Sequence, residues 1–231
     1  MTARLLLAFL AASRLALVCT PALAADAAHP TVIELFQSQG CSSCPPANAN
    51  VMALADRPEL LVLSFGVTYW DQLGWKDRFA KPEFTRRQYA YRDGLKHPNV
   101  WTPQTVINGR VDVTGVRAGE LAQAVKAGDR GAGGPVLSAS PGRIDIGAGT
   151  GPADVWLVRY DPRTVQVPIK AGENNGRTLP HRNVVRDLVR LGAWTGAAAG
   201  FPRPAAVSGL AEAVLVQKPG GGPILAALKL Q

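Results

Sequence analysis

The sequence TVIELFQSQGCSSCPPANANVMALA, residues 31–55, places two cysteines between a strand-like run and a helix-like run. Its first six residues are mostly β-branched or large and apolar, which is typical of a strand. Apolar residues recur at helical spacing from residue 47 to residue 55. The two prolines after the second cysteine are compatible with the first turn of a helix. We therefore predict a strand, a short turn carrying Cys41 and Cys44, and a helix that begins beside them.

Four further segments predict an α/β unit over residues 30–130. Residues 60–67 are nearly all apolar and indicate a buried strand. Residues 69–91 are longer and more polar, so we predict a helical or partly irregular insertion there. Residues 105–111 predict two strands around Asn108-Gly109, a pair typical of hairpin turns. Residues 118–127 predict an amphipathic helix that closes the unit.

A glycine-rich segment, residues 131–135, separates this unit from a region of different pattern. Turn residues alternate there with strand-like runs at residues 153–160, 164–169, 184–191, 211–217 and 224–230. Residues 184–191 fit the helical period as well as the strand period. We predict an α/β fold in which residues 136–231 form an antiparallel β domain packed against the first unit.

The N-terminal segment has the three parts of an export signal. Arg4 provides a positive charge, residues 5–18 form an apolar run, and Ala22-Leu23-Ala24 offers small residues for cleavage. A membrane anchor or a buried first helix is the alternative, but the run is interrupted by Arg14 and is shorter than the ~20 apolar residues that span a bilayer. We therefore predict a cleaved signal peptide over residues 1–24, a periplasmic or secreted protein, and no stable membrane insertion.

The formal net charge of +8 comes from basic residues that are scattered along the chain. A basic balance can favour nucleic acid or anionic membrane surfaces. Because the charges form no long run and the protein is predicted to be exported, we expect a solvated basic surface and no nucleic-acid partner.

Removal of the signal would leave Cys41 and Cys44 as a C-x-x-C pair in an oxidising compartment. A pair this close cannot stabilise a domain by closing a long loop. Unpaired N–H groups at a helix start favour a thiolate, so Cys41 is the candidate attacking sulfur and Cys44 the candidate resolving sulfur. Half of a zinc site, a structural disulfide and a copper–thiolate site remain as alternatives.

Four motifs are spread over nearly all of the chain that follows the signal. They are Gly40-Cys41-Ser42-Ser43-Cys44-Pro45-Pro46, Tyr69-Trp70-Asp71 with Leu73-Gly74-Trp75-Lys76-Asp77, Thr102-Pro103-Gln104, and Gly172-Glu173-Asn174 with Gly176-Arg177-Thr178-Leu179. Together they resemble one family of bacterial secreted proteins that are thioredoxin-like and of unassigned function. The resemblance implies a thioredoxin-like domain over residues 30–130, and it implies an activity by analogy alone.

The Thr102-Pro103 pair resembles the thioredoxin-fold signature in which a cis proline opens a strand and faces the cysteines. Without that resemblance Pro103 would be assigned as trans, because few X-Pro bonds are cis. In the thioredoxin-like arrangement, the backbone at Thr102 can pair with an extended substrate segment beside Cys41. The sequence departs from the family where Gly66 and Thr68 replace a histidine and an aspartate, so help with proton transfer from those groups is not expected.

Other residues are candidates for lining the same site. Ser42 and Ser43 could donate hydrogen bonds to a thiolate. Trp70, Trp75 and Trp101 could form an apolar lip for a peptide, although buried packing explains the tryptophans at least as well. For Asp71, capping of the following helix is favoured over proton transfer at Cys44. Residues 173–177 with His181 could reach the cysteines, but their composition favours a solvated hairpin turn.

The leading hypothesis is an exported thiol–disulfide oxidoreductase that uses Cys41 and Cys44 on cysteines of exported proteins or on small thiols. It requires no cofactor and no metal, and its electron donor or acceptor cannot be named from the sequence. A soft-metal protein such as a copper carrier, and a non-catalytic binding module with a structural disulfide, are the alternatives. Against copper, Met52 is the one methionine after the signal, and no histidine is close in sequence to the cysteines.

Overall fold

The chain forms a mixed α/β structure with many strands and few helices, seen in a computed structural model that describes residues 24–230. Apart from Ala24, the predicted signal peptide lies outside the described residues. None of the helices in the described part is long and apolar enough to cross a membrane.

The first half of the described chain follows the pattern predicted around the cysteines. Its elements are β1 (Thr31–Gln37), α1 (Cys44–Met52), β2 (Leu60–Gly66), a 3-10 turn (Thr68–Trp70), α2 (Pro82–Gly94), β3 (Gln104–Ile107), β4 (Val111–Val113) and α3 (Ala118–Gly128). The predicted strand and helix around the cysteines, the buried strand, the hairpin and the closing helix are all confirmed. The insertion becomes helical at Pro82, a residue that suits the first turn of a helix.

The second half is built almost entirely of strands. They are β5 (Leu137–Ser140), β6 (Arg143–Ile146), β7 (Ala153–Asp161), β8 (Val165–Pro168), β9 (Thr178–His181), β10 (Val184–Trp194), β11 (Ala199–Pro202), β12 (Ala211–Gln217) and β13 (Ile224–Leu230). The ambiguous residues 184–191 are a strand, because β10 pairs with β7 along its length. Four short strands, β5, β6, β9 and β11, were not predicted.

Strands from both halves join in one mixed eight-stranded sheet, ordered β13-β12-β7-β10-β2-β1-β3-β4. β1 and β2 are parallel, whereas β7 pairs antiparallel with β10 and β12. The halves meet where Val184 pairs with Ser64 in parallel register. Asn183 completes this junction, since its carbonyl accepts from Ser64 N and its side chain donates to Val62 O, each at 2.9 Å. The second half therefore extends the sheet of the first half edge to edge, whereas the prediction was an antiparallel β domain packed against the first unit.

Helices cover both faces of β1 and β2, which explains why every residue of these strands is buried. On one face, Ile33 packs in a cluster with residues of α1 and α3. On the other face, Phe36 stacks on Phe65 with 5.2 Å between ring centroids, and Phe84 of α2 packs edge-on against Phe65. This double cover fixes the carboxyl end of β1, where the cysteine turn begins.

A buried charged cluster ties β1 to α2. The fully buried Glu34 carboxylate accepts two hydrogen bonds from the Arg87 guanidinium, at 2.6 and 3.1 Å, and another from the Tyr91 hydroxyl. Gln217 of β12 donates to the same hydroxyl at 3.1 Å. Because buried charges need complete pairing, the cluster stabilises one arrangement of these three elements.

Candidate functional site

Cys41 and Cys44 form a disulfide where the chain passes from β1 into α1, with their Cα atoms 5.4 Å apart. The predicted pairing of the two cysteines is thereby confirmed. Cys41 is 0% exposed and Cys44 is 1% exposed, so neither cysteine lies open at the surface. The residues around the disulfide therefore decide what can reach it.

The start of α1 offers fewer hydrogen-bond donors than an ordinary helix. Cys44 N donates to Cys41 O at 3.2 Å, and the next two residues are prolines, which have no N–H. A hydroxyl provides a donor instead, because Ser43 Oγ lies 3.3 Å from Cys41 Sγ. Ser43 is therefore placed to donate to a Cys41 thiolate, the species predicted from the helix start.

The segment that contains Thr102 and Pro103 lies beside the cysteine turn. The Thr102–Pro103 peptide bond is cis, as the family resemblance implied, and Pro103 is buried. Ser43 Oγ lies 3.5 Å from Thr102 O, which competes with Cys41 Sγ for the one hydroxyl hydrogen, and the Trp70 indole N–H donates to Thr102 Oγ1 at 2.7 Å. The fold thus brings Ser43, Trp70 and Thr102 together although they are far apart in the sequence.

Two other candidate residues contact different parts of the molecule. The Trp101 ring packs edge-on against His97 with 4.9 Å between centroids. Asp71 accepts a hydrogen bond from Asp77 N at 3.1 Å. The favoured role of Asp71 as a helix cap is wrong, because the residue that precedes α2 is Lys81. Asp71 instead organises the turn that leads to Asp77.

The departure from the family at Gly66 and Thr68 has a steric explanation. A Cβ atom placed on Gly66 would lie 2.8 Å from the backbone nitrogen of Ala80, so position 66 has no room for a side chain. The Thr68 hydroxyl contacts α2, since its Oγ1 lies 3.0 Å from Thr85 Oγ1. In this protein the two positions therefore serve packing against residue 80 and α2.

A loop of the second half, residues 172–177 between β8 and β9, closes over the cysteine turn, and we call it the capping loop. The Glu173 carboxylate accepts from Ser42 N at 2.9 Å and from the Ser42 hydroxyl at 2.7 Å. The fully buried Asn174 donates to Cys41 O and to Gln39 O, each at 2.9 Å. As composition favoured, the loop is the turn of the β8–β9 hairpin, and Glu173 and residues 175–177 are exposed. Composition did not show that Glu173 and Asn174 also bind the cysteine turn.

Asp77 is a buried carboxyl beside the cysteine turn that was not selected from the sequence as a site residue. It is 3% exposed and accepts hydrogen bonds from Gln39 N and Phe79 N, each at 2.8 Å. Burial raises the pKa of Asp77 to about 6 in spite of these bonds, and the charge of Asp71 adds to the rise. Its place in the tryptophan-rich motif was the one signal that could have found it.

His181 of β9 is a second buried titratable group. Its ring packs edge-on against Phe79 with 5.6 Å between centroids, and its Nδ1 lies 3.5 Å from Gln37 Nε2. Its Nε2 has no hydrogen-bond partner among the described residues. Burial and the charge of Arg78 lower the pKa of His181 to about 4, so the ring is neutral at pH 7.

An amide network connects His181 to the cysteine helix. Gln37 Nε2 donates to Asn48 Oδ1 at 3.1 Å and to Ser64 Oγ at 2.6 Å. Asn48 Nδ2 donates to Pro180 O at 2.6 Å. Because Asn48 lies about one helical turn after Cys44, this network lies on the same face of α1 as the second cysteine.

The pKa shifts of Asp77 and His181 predict opposite effects of pH on stability between about pH 4 and pH 6.5. The folded state binds a proton at Asp77 more tightly than the unfolded state does. The stability that this protonation contributes is lost as the pH rises from 3.8 to about 6. The folded state disfavours a proton on His181. The stability that the neutral ring contributes is therefore lost as the pH falls from 6.5 to about 4. The two effects largely cancel in the wild-type protein.

Single substitutions should expose each effect in urea unfolding measured between pH 4 and pH 6.5. We expect Asp77→Asn to lose stability on acidification and His181→Phe to gain it, each by about 3 kcal/mol relative to wild type, since a pKa shift of one unit corresponds to ~1.4 kcal/mol. Phenylalanine keeps a flat ring against Phe79, which limits the packing cost. Two variants with the pH dependence of the wild-type protein would contradict the assignment.

Comparison with known proteins adds a family and a fold. Residues 32–217 match the model of a family described as protein of unknown function (DUF1223). The crystal structure of protein AGR_C_4864 from Agrobacterium tumefaciens has a TM-score of 0.74 at 34% identity, covering 88% of this chain and 94% of that one. HBP35 of Porphyromonas gingivalis has a TM-score of 0.55 at 13% identity, covering 88% of this chain and 75% of that one, which is a likeness of fold. No curated protein matches the chain.

Proposed function

The chain belongs to the DUF1223 family, whose description names no activity, and we propose from the site that this member is an exported thiol–disulfide oxidoreductase with a thioredoxin-like fold. The observation that carries the proposal is the Cys41–Cys44 disulfide at the start of α1, with the Thr102 carbonyl within hydrogen-bond distance of the same turn. Residues 31–128 support the fold, since parallel β1 and β2 flank α1, and the β3–β4 hairpin and α3 follow.

The proposed reaction moves two electrons between this pair and a disulfide substrate. The Cys41 thiolate attacks one substrate sulfur, the substrate S–S bond breaks, and the other substrate sulfur leaves as a thiolate that takes up a proton. Cys44 loses its proton and attacks Cys41 Sγ, which releases the second substrate thiol. The substrate is then reduced and the pair is oxidised to the disulfide seen in the structure.

Glu173 places a negative charge beside this pair. Hydrogen bonds from Ser42 lower the pKa of the Glu173 carboxyl, so it is ionised at neutral pH. A carboxylate at the start of α1 opposes a thiolate at Cys41 and thereby destabilises the reduced form. The capping loop is thus expected to favour the disulfide form of the pair.

The test is the redox equilibrium of the purified protein in mixtures of reduced and oxidised dithiothreitol, with thiols counted after acid quenching. We expect reversible exchange in the folded protein and catalysed reduction of a peptide disulfide. Glu173→Gln keeps a hydrogen-bond acceptor but removes the charge, so its equilibrium should move towards the dithiol by about threefold to tenfold, a range set by solvent screening of an exposed charge. Glu120→Gln, in α3, is the matched control and should show no shift.

Each rival function has its own outcome in the same samples. A pair that is reduced only after unfolding would make the protein a binding module with a structural disulfide. Tight Cu(I) binding by the reduced pair without catalysed exchange would make it a soft-metal protein. In the part of the chain that the structure describes, no group of three or more His, Cys, Asp or Glu side chains is placed to hold a metal ion.

A further inference from the structure

A cavity of about 220 Å³ lies against Cys44, between α1 and the segment that leads into β9. Cys44 and Asn48 line it from α1, and His181 lines it from β9. Cys41 does not line it, and the backbone next to that cysteine is held by Asn174 of the capping loop. The open space beside the disulfide is therefore on the side of the second cysteine.

The size of the cavity selects the class of reactant. Pockets that hold drug-sized ligands are ~300–1,000 Å³, so this one suits a molecule about as large as an amino acid. An extended polypeptide would need more room than these walls leave. A small thiol is the reactant that both fits the space and has chemistry to perform on a disulfide.

The His181 ring forms part of the wall of the cavity. Gln37 Nε2 lies 3.5 Å from His181 Nδ1 and directs its two hydrogens to Asn48 Oδ1 and Ser64 Oγ, at 3.1 and 2.6 Å. His181 is 3% exposed, and its Nε2 has no partner among the described residues. Because burial keeps this ring neutral at pH 7, His181 adds no charge to the wall of the cavity.

The charged groups around the cavity favour a carboxylate on the small thiol. Arg177 lines the cavity, and the charge of Arg78 is close enough to act on His181. None of the described residues that line the cavity is acidic. Anionic small thiols are therefore attracted, and cationic small thiols are repelled.

We propose that a low-molecular-weight thiol carrying a carboxylate enters this cavity and reduces the protein by attacking Cys44, which deepens the function proposed above and rests on it. The thiolate forms a bond to Cys44 Sγ, the Cys41–Cys44 bond breaks, and Cys41 leaves as a thiolate beside the Ser43 hydroxyl. A second molecule of the same thiol attacks the mixed disulfide, which releases Cys44 and a small disulfide. Two small thiols are oxidised, and the protein gains two electrons and two protons.

The experiment compares 3-mercaptopropionate with cysteamine as reductants of the oxidised protein, at matched thiolate concentrations. We expect the anionic thiol to react about tenfold faster, the factor that corresponds to one charge-assisted hydrogen bond. Peptide mass spectrometry of acid-quenched samples should find the mercaptopropionate adduct on Cys44. Both measurements use the wild-type protein and do not depend on a variant that folds.

A substitution at the cavity wall provides the structural control. Ala49 lines the cavity from an exposed position of α1, so Ala49→Phe should fill the entrance and slow the anionic thiol about tenfold, to the rate of cysteamine. Ala127→Phe, at an exposed alanine of α3 that does not line the cavity, should react as the wild-type protein does.

Four results would overturn the inference, and they separate it from the proposed function. An adduct found on Cys41, or equal rates for the two thiols, would refute the Cys44 route while leaving a redox-active pair. Unchanged rates in Ala49→Phe would show that the thiol enters elsewhere. A protein that even dithiothreitol cannot reduce while folded would overturn both proposals.

Discussion

Replacing Cys44 by serine is expected to lower the catalysed reduction of a peptide disulfide by roughly 10³-fold or more, because the resolving step loses its intramolecular sulfur. In the wild-type protein the two Cα atoms are 5.4 Å apart, so Cys44 attacks at an effective concentration that no thiol in solution reaches. In Cys44→Ser the mixed disulfide at Cys41 must wait for an external thiol. Turnover measured with dithiothreitol as the reductant tests this.

Mass spectrometry of the same reaction supplies the control. A covalent adduct of the substrate should accumulate on Cys41 in Cys44→Ser, and no adduct should form in a variant that also carries Cys41→Ser. The double variant shows that the loss comes from the pair rather than from a misfolded site. Wild-type turnover in Cys44→Ser would contradict the assignment of Cys44 as the resolving sulfur.

Replacing Glu34 by glutamine is expected to destabilise the protein by about 3–5 kcal/mol, the usual cost of breaking a buried ion pair on one side. The substitution leaves the Arg87 guanidinium without a counter-charge, and Arg87 is as deeply buried as its partner, with side-chain exposures of 5% and 1%. The free energy of unfolding in urea, with the disulfide intact, is the measurement.

Two further variants identify the cause of that loss. Glu34→Gln with Arg87→Met removes both charges, so it should recover much of the stability that Glu34→Gln loses. Asp56→Asn removes one partner of an exposed pair with Arg182 and should leave stability unchanged within error. A Glu34→Gln variant as stable as the Asp56→Asn variant would show that the buried cluster is not needed.

Local patterns were sufficient to predict the elements that carry the cysteines. The apolar run of β1, the spacing in α1 and the Asn108-Gly109 turn each depend on neighbouring residues, so the sequence shows them directly. The β10 segment fitted two periods, and only its pairing with β7 decided for a strand. A one-dimensional pattern cannot contain that pairing.

The groups that enclose the disulfide were harder to predict for the same reason. Asn174 is separated from Cys41 by 133 positions, and its composition-based assignment as a solvated turn took no account of that distant contact. Asp77 looked like an ordinary polar residue until the fold buried it, and His181 was noted only as a companion of residues 173–177. Thr102 was placed at the site through a family resemblance, because no local pattern links it to the cysteine turn.

The junction between β2 and β10 determines when the chain is protected from aggregation. β2 has the sequence LLVLSFG, with no charged residue to discourage pairing with another chain. Asn183 and Val184 of the second half occupy its outer edge through Val62 and Ser64. A chain that stops at residue 135 would present this apolar edge as a template for other strands. The β2 edge is therefore protected only after residue 184 has been synthesised. In this way the second half of the chain protects the cysteine-bearing half from aggregation.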